Sequence, residues 1–192
     1  MRLFFAIFIP REIEELIARA SEPLRTIGMR ANWTIPANWH FTLRFMGEIA
    51  PDKLKFLERA ASQCAMRNSA FSLELSGMGV FRQGGIANLL WIGAGSGSKE
   101  LAMLAAALDD ALTKEGFGAR DKAFKPHLTL ARIKDGNIAA DFDNKLREAL
   151  AAGQKMIPAG SASWTVTSFA LVESILKPSG PQYSIINEYK LK

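Results

Sequence analysis

The sequence holds a single cysteine, Cys64, so no disulfide can close within the chain, which suits a reducing compartment such as the cytoplasm. No apolar run approaches the ~18 residues of a membrane span. The first run, Leu3 to Ile9, meets the charged segment Arg11 to Glu15 without a small-residue cleavage site, which marks it as a buried strand rather than a leader. The glycines at 77, 79, 84, 85, 93, 95 and 97 build neither a phosphate loop nor a dinucleotide fingerprint and read as turns. No spacing of Cys, His, Asp and Glu suggests a metal centre, so neither metal nor cofactor is expected. Linkers and low-complexity segments are absent. Histidine is scarce too, and its two occurrences carry the argument.

Each histidine opens a copy of one tetrapeptide: His40-Phe41-Thr42-Leu43 and His127-Leu128-Thr129-Leu130, 87 positions apart. In a β-strand, residues i and i+2 share a face. His40 and Thr42 then point one way while Phe41 and Leu43 enter a core, and His127 and Thr129 do the same over Leu128 and Leu130. Each copy presents an imidazole and a hydroxyl about 6–7 Å apart. Side by side, the strands would form a pocket of two histidines and two threonines. Arg44 continues the His40/Thr42 face by alternation, whereas Arg132 needs a strand end or bulge to reach it.

Around these motifs the chain alternates strands and helices. Leu3 to Ile9 is a strand, followed by a helix from about Arg11 that Pro23 should kink or split. Asn32 to Ile35 is extended and Pro36 to Asn38 a turn. Trp39 to Phe45 is the first motif strand, ended at Gly47. Pro51 opens a helix with Leu54, Leu57, Ala61, Cys64 and Ala65 on its buried stripe, where Cys64 is a packing thiol. Phe71, Leu73 and Leu75 alternate as a strand, and Gly77 to Gly85 reads as a loop around Phe81-Arg82. Ile86 to Ile92 is a strand. Ser98 is a candidate cap for the helix through Leu101, Leu104, Ala105, Leu108 and Leu112. The loop from Gly116 to Pro126 leads to the second motif strand, His127 to about Ile133. A turn at Asp135-Gly136, a helix around Phe142, Leu146 and Leu150 ended by Gly153, a long strand or two from Ser163 to Leu176, a turn at Lys177 to Pro181 and a last strand from Tyr183 to Leu191 complete the chain. The pattern is α+β with antiparallel sheets.

Two imidazoles suit displacement at phosphorus, one taking a proton from the attacking oxygen and one giving a proton to the leaving oxygen. Threonine hydroxyls can donate to phosphoryl oxygens as charge builds. A net charge of +5 mildly favours an anionic ligand.

At these residues the chain resembles the 2H phosphoesterase superfamily and, within it, the bacterial and archaeal RNA 2′,3′-cyclic phosphodiesterases, the 2′-5′ RNA ligase-like proteins. The likeness runs from Arg2-Leu3-Phe4-Phe5-Ala6-Ile7 through Trp39 to Glu48 and Lys125 to Arg132, and on to Leu171–Leu176 and Gly180-Pro181-Gln182-Tyr183. Arg44 and Met46 stand where small and leucine residues are more usual. The resemblance implies a bilobal, pseudo-symmetric fold: two antiparallel sheets facing across a central cleft, helices outside, in one domain, 1–192, of two intertwined lobes. It implies metal-independent hydrolysis of RNA 2′,3′-cyclic phosphate ends to 2′-phosphomonoesters, with His40 as proton donor and His127 as proton acceptor, helped by Thr42 and Thr129. Arg132, and Arg44 beside it in role, would contact substrate. 2′-5′ RNA ligation would be related chemistry. The partner is an RNA end or related nucleotide, with no membrane and no metal, for a monomeric cytoplasmic protein. Other cyclic or 2′-5′ phosphodiesters, or RNA binding without catalysis, are the alternatives, separable by a substrate panel.

Overall fold

The computed structural model describes residues 1–134, 141–178 and 180–192. The Asp135-Gly136 turn expected from the sequence lies outside the described residues. In chain order the elements are β1 (Arg2–Phe8), α1 (Arg11–Arg25), β2 (Ala31–Trp33), β3 (His40–Glu48), α2 (Leu54–Ala65), β4 (Phe71–Gln83), β5 (Ile86–Ala94), α3 (Ser98–Lys114), β6 (His127–Ile133), α4 (Phe142–Lys155), β7 (Ser163–Val166), β8 (Ser168–Lys177) and β9 (Gly180–Lys190). Short 3₁₀ turns at Pro36–Asn38 and Pro51–Lys53 precede β3 and α2. No helix among the described residues is long and apolar enough to cross a membrane.

All the strand pairings are antiparallel, in the order β7-β4-β5-β6-β3-β1-β8-β9, with β2 added to β6. The two motif strands meet in the middle, at the single pair Phe41↔Leu128. From there they diverge: β6 continues beside β2, and β3 beside β1. The chain also contains two β-α-β-α-β passages. β1-α1-β3-α2-β4 corresponds to β5-α3-β6-α4-β8, and the last strand of each passage pairs with the first strand of the other.

Binary patterning places the layers. Leu3, Phe5 and Ile7 of β1 join Phe41, Leu43, Leu128 and Leu130 in the main core, together with Ile13 and Ile17 of α1, Leu57 of α2, Leu104 and Leu108 of α3 and Leu146 of α4. At roughly 1.5–3 kcal/mol for each fully buried large apolar side chain, this layer supplies the main drive to fold. Phe4 and Ala6 face the opposite way and form a smaller cluster with Ala170 and Val172. The first strand is thus buried on both faces.

Several local expectations are corrected. Helix α1 is not split at Pro23 but runs on to Arg25, because a proline in the last turn removes only one backbone bond. Gly47 lies inside β3, with a left-handed φ of 72°, rather than ending it. The expected Gly77–Gly85 loop is mostly strand: β4 continues to Gln83, and only Gly84-Gly85 form the hairpin turn. Gly79 is needed there because the indole of Trp91 lies over it, and an added Cβ would come within 2.3 Å of that ring. Ser98 is the first helical residue, with Gly97 preceding it as cap. Gly153 does not end α4 but sits within it, where the helix crosses α1 so closely that a Cβ would meet the Ala20 carbonyl oxygen at 2.3 Å.

Candidate active site

His40 is the first residue of β3 and His127 the first of β6. The pairing of Phe41 with Leu128 matches the second residue of one motif to the second of the other. Extending this register by one residue sets His40 across from Thr129 and Thr42 across from His127, all four on the face away from the helices. All four line one cavity of about 750 Å³.

The two imidazoles are held alike. His40 donates its Nδ1–H to the Asn38 carbonyl oxygen at 2.7 Å, and His127 donates its Nδ1–H to the Lys125 carbonyl oxygen at 2.7 Å. A carbonyl can only accept, so Nδ1 carries the proton in each ring and Nε2 keeps the lone pair in the neutral form. His40 Nε2 lies 3.0 Å from Thr42 Oγ1, which donates to it. The surroundings differ. His40 is boxed by Phe4 at 5.0 Å, Phe8 at 5.6 Å and the edge of Tyr183 at 5.5 Å between ring centres. Burial there pushes its pKa down to about 4, against the opposing pull of the Asn38 carbonyl and with a smaller push from His127. His127 meets the ring of Phe81 edge-on at 5.0 Å. Its pKa is lowered first by burial, opposed by the Lys125 carbonyl, and lowered further by the charge of Arg132. Both rings are therefore neutral at pH 7 in the empty cleft.

The strands carry the same bulge at the same motif position. Ala6 pairs with Thr42 and Phe5 with Arg44, leaving Leu43 as an extra residue. Trp91 pairs with Thr129 and Leu90 with Ala131, leaving Leu130 as the extra residue. Each bulge reverses the alternation beyond it. The fifth residue after each histidine, Phe45 in one strand and Arg132 in the other, consequently turns to the cleft. The bulge that Arg132 requires is present.

Arg44, expected on the His40 face, turns toward the helices for the same reason. It is not among the described residues lining the cleft. Its Nη1 meets Asp109 Oδ1 of α3 at 2.6 Å and its Nη2 the Gly118 carbonyl oxygen at 2.6 Å. Arg120 joins from the other side, with Nε 3.3 Å from Asp109 Oδ2 and Nη2 donating to the Ala105 carbonyl oxygen at 3.0 Å. This cluster pins the loop leading to His127 against β3 and α3.

Among the described lining residues the cations are Arg2, Arg132, Lys134 and Lys177, and there is no carboxylate, so the field favours an anion. Nor do the described residues include any group of three or more His, Cys, Asp and Glu placed to hold a metal ion. Several lining residues escape a motif search. Asn38 uses its carbonyl on His40 and its side-chain amide on the Pro181 carbonyl oxygen at 3.0 Å, tying the β8–β9 hairpin to the site. Tyr183 reaches His40 from that hairpin. A lone Asn in a Pro-Ala-Asn turn gives no sequence signal beyond turn formation.

A family model described as the 2′-5′ RNA ligase superfamily matches residues 9–176. A protein of Aeropyrum pernix named RNA 2′,3′-cyclic phosphodiesterase is 33% identical over 179 residues, covering 93% of this chain and 92% of that one. One of the same name from Archaeoglobus fulgidus is 32% identical over 192 residues, covering 99% and 100%. Among solved structures, TT0787 of Thermus thermophilus superposes with a TM-score of 0.79 at 28% identity, covering 100% of this chain and 98% of that one. Escherichia coli LigT complexed with 3′-AMP superposes with a TM-score of 0.76 at 26% identity, covering 99% and 97%.

Proposed function

The chain belongs to the 2′-5′ RNA ligase superfamily, and on that premise we propose that it hydrolyses the terminal 2′,3′-cyclic phosphate of RNA to a 2′-phosphomonoester. The relatives named RNA 2′,3′-cyclic phosphodiesterase match nearly their whole length and support this activity. The observation that carries the chemistry is the pair of Nε2 atoms, held in one tautomer by two equivalent carbonyls on one face of two crossing strands.

His127 takes a proton from water as its oxygen attacks phosphorus. The bond from phosphorus to O3′ breaks, and His40 gives that oxygen a proton. Attacking and leaving oxygens lie on opposite sides of phosphorus, which matches two imidazoles related by a local twofold. His40 is neutral in the empty cleft, and the negative charge of the bound phosphodiester raises its proton affinity toward the donor form. Thr42 and Thr129 donate to the phosphoryl oxygens, and Arg132 offers its guanidinium fork. General acid–base assistance of this kind is worth ~10²–10⁴-fold per group. Two imidazoles with no carboxylate among the described lining residues are a poor divalent-metal donor set, which supports a metal-free route. The exchange of strands between the two β-α-β-α-β passages supports one domain spanning 1–192.

The test is incubation of an RNA oligomer ending in a 2′,3′-cyclic phosphate, in EDTA, with the product isomer identified. A 2′-phosphomonoester formed at the untreated rate is expected. A 3′-phosphomonoester, or loss of activity restored by a divalent ion, would overturn the proposal.

A further inference from the structure

Beyond the cavity, the sheet face that carries His127 continues across β5 and β4. Trp91 pairs with Thr129 on one side and with Gly79 on the other, so the three share that face. The indole lies down on the sheet: Cβ atoms built at Gly79 and Gly93 would meet its ring at 2.3 Å and 3.2 Å. Its N–H edge is buried and finds no partner among the described residues, so what the half-buried side chain presents is a ring face. Phe81 packs beside it at 5.4 Å and touches His127 edge-on at 5.0 Å. The ammonium of Lys125, an exposed residue, stands 5.9 Å above the Phe81 ring. At the equivalent positions on the His40 side, Ala6 and Ala170 stand where Trp91 and Gly79 do here.

This strip lies on the side from which the attacking oxygen must come. Both histidines line the cavity, with Phe4, Asn38 and Tyr183 around His40, and on the hydrolytic reading the nucleoside whose O3′ leaves lies on that His40 side. In-line displacement puts the attacking oxygen on the opposite side of phosphorus, beside His127. Water needs no platform there. We infer that Trp91, Phe81 and Lys125 form a subsite for a second nucleoside, the 5′-hydroxyl end of an acceptor RNA, which rests on the hydrolytic reading above. Its terminal base stacks on the indole, its next phosphate meets Lys125, and its 5′-oxygen takes the place of water. The step balances without a co-reactant. The 5′-oxygen bonds to phosphorus, the bond to O3′ breaks, His127 takes the 5′-hydroxyl proton and His40 supplies one to O3′. The product is a 2′-5′ phosphodiester.

The experiment partitions one substrate between two products. The cyclic-phosphate RNA is incubated with a short 5′-hydroxyl RNA acceptor, and 2′-5′-joined and hydrolysed products are quantified for the unaltered protein, Trp91→Leu and Lys125→Gln. Joined product should form with the unaltered protein. Its ratio to hydrolysis should fall about tenfold in Trp91→Leu, the scale of one base–aromatic stack, with hydrolysis within about twofold. In Lys125→Gln, which changes only an exposed side chain, the ratio should fall severalfold and lose part of its salt dependence. No joining by the unaltered protein, an unchanged ratio in both variants, or joining and hydrolysis falling together in both would overturn the subsite. Absence of hydrolysis in the unaltered protein would instead refute the proposed function.

Discussion

Phe41 lies directly across from Leu128, and each is the second residue of its motif. A twofold axis relating two antiparallel strands passes through such a pair, so the motifs, their bulges and their carbonyl-held imidazoles fall into equivalent places around it. Displacement at phosphorus has the same approximate symmetry, since attacking and leaving oxygens exchange roles when the reaction is reversed. What breaks the symmetry is the second layer: Phe45 opposite Arg132, and the aromatic box of His40 against the Phe81 edge and Arg132 charge at His127.

The two histidines should act as a unit. His40→Ala and His127→Ala should each lower kcat/KM at least about a hundredfold, the lower limit for acid–base assistance. The double variant should lose less than the product of the two. Rates on a cyclic-phosphate oligomer check this. A substrate with a better leaving group should rescue His40→Ala more than His127→Ala, and the reverse result would exchange their roles.

The site core is legible in the sequence because a period of two needs no tertiary information: His-x-Thr puts both side chains on one face whatever pairs beside it. The same rule fails at Arg44. The reversal comes from the bulge at Leu43, which depends on pairing with β1 and leaves no mark in the sequence of β3 alone. The long β4 resembles a loop in sequence because Gly77 and Gly79 look like turn residues. Gly79 in fact makes room for the Trp91 indole of the neighbouring strand, and that neighbour is known only once the strands pair. Asn38 is legible as a turn and not as the link between His40 and Pro181, a contact across 143 positions of sequence.

Arg132 and Arg44 should separate cleanly. Arg132→Ala should lower kcat/KM at least about tenfold at unchanged stability, given about 1.5–3 kcal/mol for a hydrogen bond to a charged group. Asp109→Ala leaves Arg44 and Arg120 without their shared carboxylate, in a place where all three side chains are at most 20% exposed. It should cost about 2–4 kcal/mol in urea denaturation, near the range for breaking a buried pair. A stable Asp109→Ala protein would show that the cluster does not hold the loop.

Gly153→Ala reverses an ordinary expectation. Alanine in a helix interior is normally better than glycine by about 1 kcal/mol. Here its Cβ would sit 2.3 Å from the Ala20 carbonyl oxygen and 2.9 Å from Met78 Sδ, so α1 and α4 must part. A net loss of about 1–3 kcal/mol is expected, measured as a lowered denaturation midpoint. A raised midpoint would show that the crossing has slack.

Burial of neutral His40 makes stability depend on pH with a defined sign. The unfolded ring titrates near 6.5 and the folded one at about 4. Above pH 6.5 both are neutral and the full stability is present. Below it the unfolded chain takes up a proton that the folded site refuses, so stability falls as pH drops from 6.5 and levels off once the folded ring is protonated too. A shift of this size corresponds to roughly 3 kcal/mol. His40→Gln cannot titrate and should therefore lose markedly less stability than the unaltered protein between pH 7 and pH 4.5. Comparing the two cancels the carboxylates, which titrate in both. Equal losses would place the folded pKa near 6.5.

The same two pKa values set the rate profile. In the free enzyme both imidazoles titrate below 6.5, His40 at about 4 and His127 at a lowered value. Catalysis needs one ring neutral and the other protonated, so kcat/KM, which reports the free enzyme, should peak on the acid side of pH 6.5 and decline through neutrality. The bound phosphodiester adds a negative charge beside both rings and raises both values, so kcat should peak at a higher pH than kcat/KM. Arg132→Ala removes a positive charge that depresses His127 and should move the limb of kcat/KM that His127 sets toward higher pH. Full pH profiles of both parameters check this. A kcat/KM maximum above pH 7.5 would mean that burial does not hold the imidazoles neutral in the empty cleft.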